Sequence, residues 1–196
     1  MLKNKHIALL QPEVPHYRVE FFNKLKNKCN ICDIFVYNSF ENTKKQGFNI
    51  DSSGVTYILN KQIKGFLFYN PFKLLLYKYD TLVLMLHFAH ITTWLLLLTK
   101  FIHRKQIILW GQGISVKRYL KEEIKPDWKL KLQIALADGV WFYMEKEANQ
   151  WRQIFPKKKI VAINNTLTGV EEMVKYTPSL SIQELKKQYN IKAILR

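Results

Sequence analysis

Apolar residues along this chain come in short blocks, and most blocks lead into a stretch where they recur every third or fourth position. His6-Ile-Ala-Leu-Leu-Gln11, Ile31 to Tyr37, Val55 to Leu59, Thr81-Leu-Val-Leu-Met-Leu86, Gln106 to Trp110, Gly139-Val-Trp-Phe-Tyr143 and Ile160-Val-Ala-Ile163 are the blocks. Their length and β-branched content predict strands covered on both faces. Between them, His16 to Lys28 places Tyr17, Phe21, Phe22 and Leu25 on one helical face. Asn70-Pro71 reads as a helix N-cap with proline at the first position, opening a helix over Phe72 to Tyr79. Ala89 to Phe101 is a helix apolar almost all round, hence buried or laid on something apolar. Pro126 to Ala137 is an amphipathic helix with Trp128, Leu132, Ile134 and Ala135 inward, and Glu145 to Ile154 is a helix opened by acids that suit its N-terminal dipole. Asn38 to Ser53 reads as polar loop, Lys61 to Tyr69 as irregular, and Lys117 to Lys125 as charged loop or frayed helix.

Strand alternating with helix predicts an α/β architecture: a Rossmann-like, doubly wound parallel sheet over residues 1–166. Periodicity fades from Thr166 to Leu180, which reads as a linker. Ser181-Ile-Gln-Glu184 is a capping box starting one more helix, and Lys192-Ala-Ile-Leu-Arg196 looks like the opening of another strand. A strand that begins so near the end of the chain has no partner in it. The expectation is that 167–196 links to a second, truncated domain.

With 196 residues, 48% hydrophobic and 23% charged, the chain is long enough for one sizeable core and is neither a disordered nor a membrane-bundle composition. Thr81 to Ile102 approaches the length of a membrane span, but His87, His90, Thr92-Thr93 and Lys100 interrupt it, so strand plus helix is the better reading. No secretory signal is visible, which with Cys29 and Cys32 read as reduced thiols points to the cytoplasm, with the inner membrane face as a possible resting place. The C-x-x-C spacing admits a redox pair, yet Cys32 opens a strand and reads as small apolar filler; a metal there would lack ligands.

Charge changes the picture of partners. The net charge is +16, and between Asp51 and Glu122 the only acid is Asp80. Such a balance suits an anionic partner, whether a phosphorylated substrate, an acidic membrane surface or nucleic acid. A Lys-rich solvated surface explains it equally well. Nucleic acid is disfavoured because most aromatics fall on strands or apolar helix faces rather than on an exposed basic face.

Nucleotide-binding glycine fingerprints, a P-loop, a serine elbow and a metal-ligand set are all missing from the sequence. Polar residues instead punctuate successive strand ends, the edge where ligands bind in open α/β sheets. The first strand leads to His16-Tyr17-Arg18 at a helix N-terminus, where guanidinium, backbone N–H groups and dipole together suit a phosphate. The fourth leads to His87 and His90. The fifth leads to Trp110-Gly111-Gln112-Gly113, whose two glycines let backbone turn sharply and approach a ligand. The sixth leads to Tyr143 and the seventh to Asn164-Asn165-Thr166. Rings that stack on sugar faces, with amides that pair with hydroxyls, are a carbohydrate-binding set.

Pro15-His-Tyr-Arg18 with Phe21-Phe22 and Leu25, Asp80 before an apolar strand, Ile108-Leu-Trp-Gly-Gln-Gly113, Ala137-Asp138 before a strand ending in Tyr143, and Ile163-Asn-Asn-Thr-Leu167, in that order, resemble the N-terminal domain of family-four retaining glycosyltransferases. The resemblance implies a GT-B fold of two Rossmann-like domains. It implies a sugar-nucleotide donor held mainly by the other domain, a saccharide or lipid-linked acceptor held by this one, and transfer without a metal or other cofactor. It also implies that this chain alone transfers nothing. Gln112 stands where family members often carry His, and it cannot serve as acid or base. Glu122-Glu123 and Glu171-Glu172 are not the family's donor glutamates and read as solvated. A stand-alone interaction domain is the other reading the residues allow.

Overall fold

The computed structural model describes residues 4–38 and 54–164, with 174–175, 181, 184 and 187–189 beyond; His16 and Val116 are described by backbone only. The strands are β1 (His6–Gln11), β2 (Ile31–Val36), β3 (Val55–Tyr57), β4 (Asn60–Ile63), β5 (Phe66–Tyr69), β6 (Thr81–Met85), β7 (Gln106–Gly111), β8 (Gly139–Phe142) and β9 (Lys159–Ala162). The helices are α1 (Val19–Lys28), α2 (Ile91–Leu98), α3 (Lys100–His103), α4 (Tyr119–Ile124), α5 (Trp128–Leu136) and α6 (Glu145–Ile154).

Seven strands form one parallel sheet in the order β3-β2-β1-β6-β7-β8-β9. The seven strands expected between residues 6 and 163 are present, and the first and the helix at Glu145 keep their expected bounds; the strand opening at Lys192, nearly all of the loop from Asn38 to Ser53 and most of the linker from Thr166 to Leu180 lie outside the described residues. One buried cluster, with Phe22, Leu25, Leu9 and Trp110, lies under α1. The other, with Leu84, Leu97, Leu109, Ile134, Phe142 and Trp151, lies on the opposite face. Because strands in the middle are covered twice, β1 and β6 read as unbroken apolar runs.

The amino edge of the sheet is tied by two carboxylates. Asp80 accepts the His6 N–H at 3.0 Å and Asp138 accepts the Ile107 N–H at 2.8 Å, so each holds the first residues of a neighbouring strand. Both acids are thus accounted for far from the ligand edge. The cysteines are structural: Cys32 is buried in β2 and its thiol is pushed up to about 12 by desolvation, then by Cys29.

Four expectations fail for physical reasons. Lys61 to Tyr69 is not irregular but the hairpin β4–β5, turned by Lys64 and Gly65 at φ +48° and +82°. Two positive φ values define the tight turn that suits strand twist, and lysine in that role hides the signal. No helix forms over 72–79. Asn70 does accept the Phe72 N–H at 2.9 Å, and Leu74 and Leu75 bond back to Pro71, but the chain then leaves the helical path. Leu74 and Tyr79 are both buried, and five residues separate them, about 140° around a helix. Lys105, itself buried, donates to the Leu76 and Tyr79 carbonyls at 2.8 and 2.5 Å and so pins the end of this segment against the start of β7.

Helix α5 presents a different face from the one its hydropathy suggests. Gln133 and Ile134 are buried while Trp128, Leu132 and Ala135 are exposed. The Gln133 amide donates to the His87 carbonyl at 3.2 Å, so the core is paired to a polar residue that periodicity assigns outward. Glu122, expected in solvent, is buried, accepting the Ser115 N–H at 2.7 Å beside Arg118. Glu171 and Glu172 lie outside the described residues. The capping box at Ser181 is formed, with the Ser181 N–H on the Glu184 carboxylate at 2.7 Å and the Glu184 N–H on the Ser181 hydroxyl at 3.3 Å.

Candidate functional site

The winding direction reverses between β1 and β6, which are neighbours although four strands separate them in the chain. Connections leave the two strands toward opposite flanks, so a crevice opens outside their carboxyl ends. A cleft of about 520 Å³ lies there, lined among others by Pro12 after β1, Tyr37 and Asn38 after β2, Asn60 from the hairpin, and His87 and His90 after β6. Its volume is in the range of small-molecule sites.

The cleft's polar groups are held in place. The Asn38 amide donates to Glu13 at 2.6 Å, and the Asn60 amide donates to the Tyr37 carbonyl at 2.5 Å and the Tyr57 hydroxyl at 3.1 Å. Tyr37 meets His90 edge-on at 5.6 Å, and His90 meets His87 at 4.8 Å between ring centres. Burial, and after it Glu13, pushes the Tyr37 phenol above its usual range, so it stays a neutral donor. Burial, and after it His87, lowers His90 from 6.5 to about 4, while desolvation alone lowers His87. Both imidazoles are therefore neutral at pH 7, and His90 Nδ1 is buried with no hydrogen-bond partner among the described residues. Neutral imidazole, amide and phenol groups donate and accept at short range, which fits a polyhydroxyl ligand.

The depressed His90 value has a stability consequence. Between pH 6.5 and about 4 the unfolded chain binds a proton there that the folded chain does not, so stability falls as pH falls through that window. The loss is on the order of 2–3 kcal/mol. Urea midpoints at pH 7 and pH 4.5 should differ accordingly, and the difference should shrink in His90→Asn. A midpoint that the variant leaves equally pH-dependent assigns the effect elsewhere.

A second group lies on the α1 side of the same edge. The first strand ends in Gln11-Pro-Glu-Val-Pro15, then a 3-10 turn over His16–Arg18 feeds α1. The half-buried Arg18 guanidinium stands 4.9 Å from the Tyr143 ring centre and 5.5 Å from those of Trp110 and Tyr17. It also donates to the Tyr143 hydroxyl at 3.4 Å. Residues 125 positions apart are thus brought together. Trp110 is 1% exposed, with Phe21 and Trp141 against its ring, so it is the floor under Arg18 and offers no open face to a sugar.

The glycines of the Trp110 motif answer to packing. A Cβ on Gly111 would stand 2.8 Å from Leu86 Cβ. Gly113 has φ +73°, accepts the Trp151 indole N–H at 3.0 Å, and has no room for a Cβ against the Phe142 and Trp151 rings. Gln112 between them is exposed at the edge. Asn164 is exposed in the left-handed region at φ +52°, one residue after Ile163, which packs in the cluster holding Trp110 and Tyr143. Asn165 and Thr166 lie outside the described residues, and His16 enters by its backbone alone. Tyr37, Asn38, Asn60 and Glu13 were not expected at the site. Tyr37-Asn38 at a strand end was a readable signal, whereas Asn60 is delivered by a hairpin that the sequence conceals.

No protein-family model matches the sequence, and no curated protein matches it either. Among solved structures, S. aureus MnaA in its co-structure with UDP superposes with a TM-score of 0.52 at 15% identity, over 96% of this chain and 52% of that one. The chain has the Rossmann-like fold of one half of a GT-B-like protein. Anabaena Alr3699/HepE in complex with UDP superposes with a TM-score of 0.50 at 13% identity, over 95% of this chain and 50% of that one. UDP-GlcNAc 2-epimerase from Neisseria meningitidis, bound to UDP-GlcNAc, gives 0.49 at 13% identity, over 95% and 52%. The chain therefore spans about half the length of the solved structures it matches. Among the described residues no helix is long and apolar enough to cross a membrane, and no cluster of His, Cys, Asp or Glu suits a metal ion.

Proposed function

We propose that this chain is the acceptor-binding half of a GT-B-type glycosyltransferase resembling family four, transferring a hexosyl unit from a sugar nucleotide to a saccharide or lipid-linked acceptor. The observation that carries the reading is the gathering of two polar groups on one sheet edge at the switch point: the Tyr37–His87–His90 cleft and the Arg18–Tyr143 pair. The fold neighbours crystallised with UDP, MnaA and HepE, support a sugar-nucleotide chemistry for it. In this reading Arg18 and the N–H groups opening α1 hold an acceptor phosphate. His87, Gln112 and Asn164, with Asn165 and Thr166, hydrogen-bond hydroxyls. The donor's nucleotide is held mainly by the second domain, so this chain alone turns nothing over.

The test is to incubate the chain with UDP-hexoses and to titrate it with a hexose phosphate, following saturation transfer and UDP release. Binding of the hexose phosphate without UDP release is the expected result. Steady UDP release by the chain alone, or interconversion of UDP-GlcNAc epimers, contradicts the proposed half-site. A gel shift with single-stranded RNA that survives added salt, with no sugar-phosphate binding, turns the reading to nucleic acid.

A further inference from the structure

Helices α2 and α3 run almost without a break from Ile91 to His103. At the join, the Thr99 N–H and hydroxyl both bond the Leu95 carbonyl, at 2.9 and 2.8 Å, and Arg104 ends the run in the left-handed region at φ +57°. Thr92, Thr93, Leu96 and Leu97 are buried toward the sheet. The opposite side is where a globular helix carries polar residues. Here it carries Leu95, Leu98, Phe101 and Ile102, which are 54, 59, 78 and 68% exposed and share one helical face. Helix α5, packed beside α2, adds the exposed rings and chains of Trp128 and Leu132. Lys129 covers Phe88 at 4.6 Å and Trp128 at 5.8 Å to the ring centres.

Apart from Lys100, the cations around this stripe have no acidic partner among the described residues. Asp138 is already paired with Lys100 at 2.6 Å, and Glu122, Glu123 and Asp127 with Arg118 or Lys146. Arg104, Lys129 and Lys131 make no ion pair among the described residues. We propose that the α2–α3 stripe lies on an anionic lipid bilayer, with Leu98, Phe101 and Ile102 at the acyl–headgroup boundary and Arg104, Lys129 and Lys131 among lipid phosphates. An apolar stripe bordered by Lys and Arg with an exposed Trp is the chemistry of an interfacial helix. A two-fold contact between copies would bring two sets of these cations into one interface with no acids to pair them. An RNA would leave the apolar centre unpaired. His90, which lines the cleft, immediately precedes α2, so the cleft and the docking face are joined through one helix, with the lipid contacts toward its far end. The docking surface does not depend on the cleft's chemistry and stands if no sugar is transferred.

Co-sedimentation of the 196-residue chain with vesicles of phosphatidylcholine, alone or mixed with phosphatidylglycerol, tests this. Partitioning to the anionic vesicles should be at least about tenfold stronger. It should fall about tenfold or more in the double variant Leu98→Ser/Phe101→Ser and lose its anionic preference in Arg104→Glu/Lys131→Glu. These substitutions sit at exposed positions, and far-UV circular dichroism confirms that the fold is retained. Absence of binding to anionic vesicles overturns the proposal, as does binding that the apolar double variant leaves intact. A dimer in light scattering that Leu98→Ser/Phe101→Ser dissociates, without vesicle binding, assigns the face to a second copy instead.

Discussion

Arg18→Ala weakens binding of a phosphate-bearing acceptor by about ten- to a hundred-fold, the equivalent of about 1.5–3 kcal/mol for charge-assisted hydrogen bonds. The geometry behind this expectation is a guanidinium braced by three rings and one phenol hydroxyl at the start of a ten-residue helix. A braced side chain loses little rotamer freedom when an anion arrives, so the interaction is not spent on ordering it. Arg18→Lys should fall between the two, since it keeps the charge but loses the planar fork and the stacking. Calorimetric titration with a hexose phosphate reads the effect. A thermal melt in the same buffer separates it from unfolding, because the loss of ring contacts alone costs about 1 kcal/mol. Unchanged affinity would remove Arg18 from the ligand's path.

Gly113→Ala destabilises the fold by about 2–5 kcal/mol. Placing a Cβ residue at φ +73° costs about 1–2 kcal/mol. Forcing that carbon against Phe142 and within 2.8 Å of Trp151 Nε1 adds about 1–3 kcal/mol of overpacking. Phe142 and Trp151 are fully buried and stacked at 6.3 Å, and Phe155 continues the stack, so no flexible side chain is available to yield. Urea unfolding followed by tryptophan fluorescence gives the number. Gln112→Ala, one residue away and exposed, should leave the midpoint within about 0.5 kcal/mol. A Gly113→Ala midpoint equally unchanged would show that the loop after β7 shifts without cost.

These two positions show what the sequence reveals and what it hides. Strand blocks were legible because both faces of β1, β6 and β7 are covered, so burial leaves continuous apolar runs. The edge on which polar residues meet followed from the parallel arrangement. The chemistry of individual residues was less legible. Trp110 and the two glycines sit at strand ends, as a ligand loop would, but their surroundings are other side chains. No periodicity reports whether an indole faces water or Phe21. The hairpin and the turn at 70–79 were hidden because Lys64 takes a conformation usually given to Asn or Gly, and because the core takes both Leu74 and Tyr79, which no single helical face presents. Helix α5 misled because Gln133 is buried for its hydrogen bond rather than for its hydropathy.

The central place of β1 bears on how the polypeptide is made. His6 finds its Asp80 partner 74 positions later, so at about 5–20 residues per second the ribosome needs roughly 4–15 s to supply the strand that covers that flank. During that interval nascent β1 presents an open row of amides and carbonyls to whatever else is emerging. Slower codon use before residue 80 would lengthen the exposure and raise the demand for a holding chaperone.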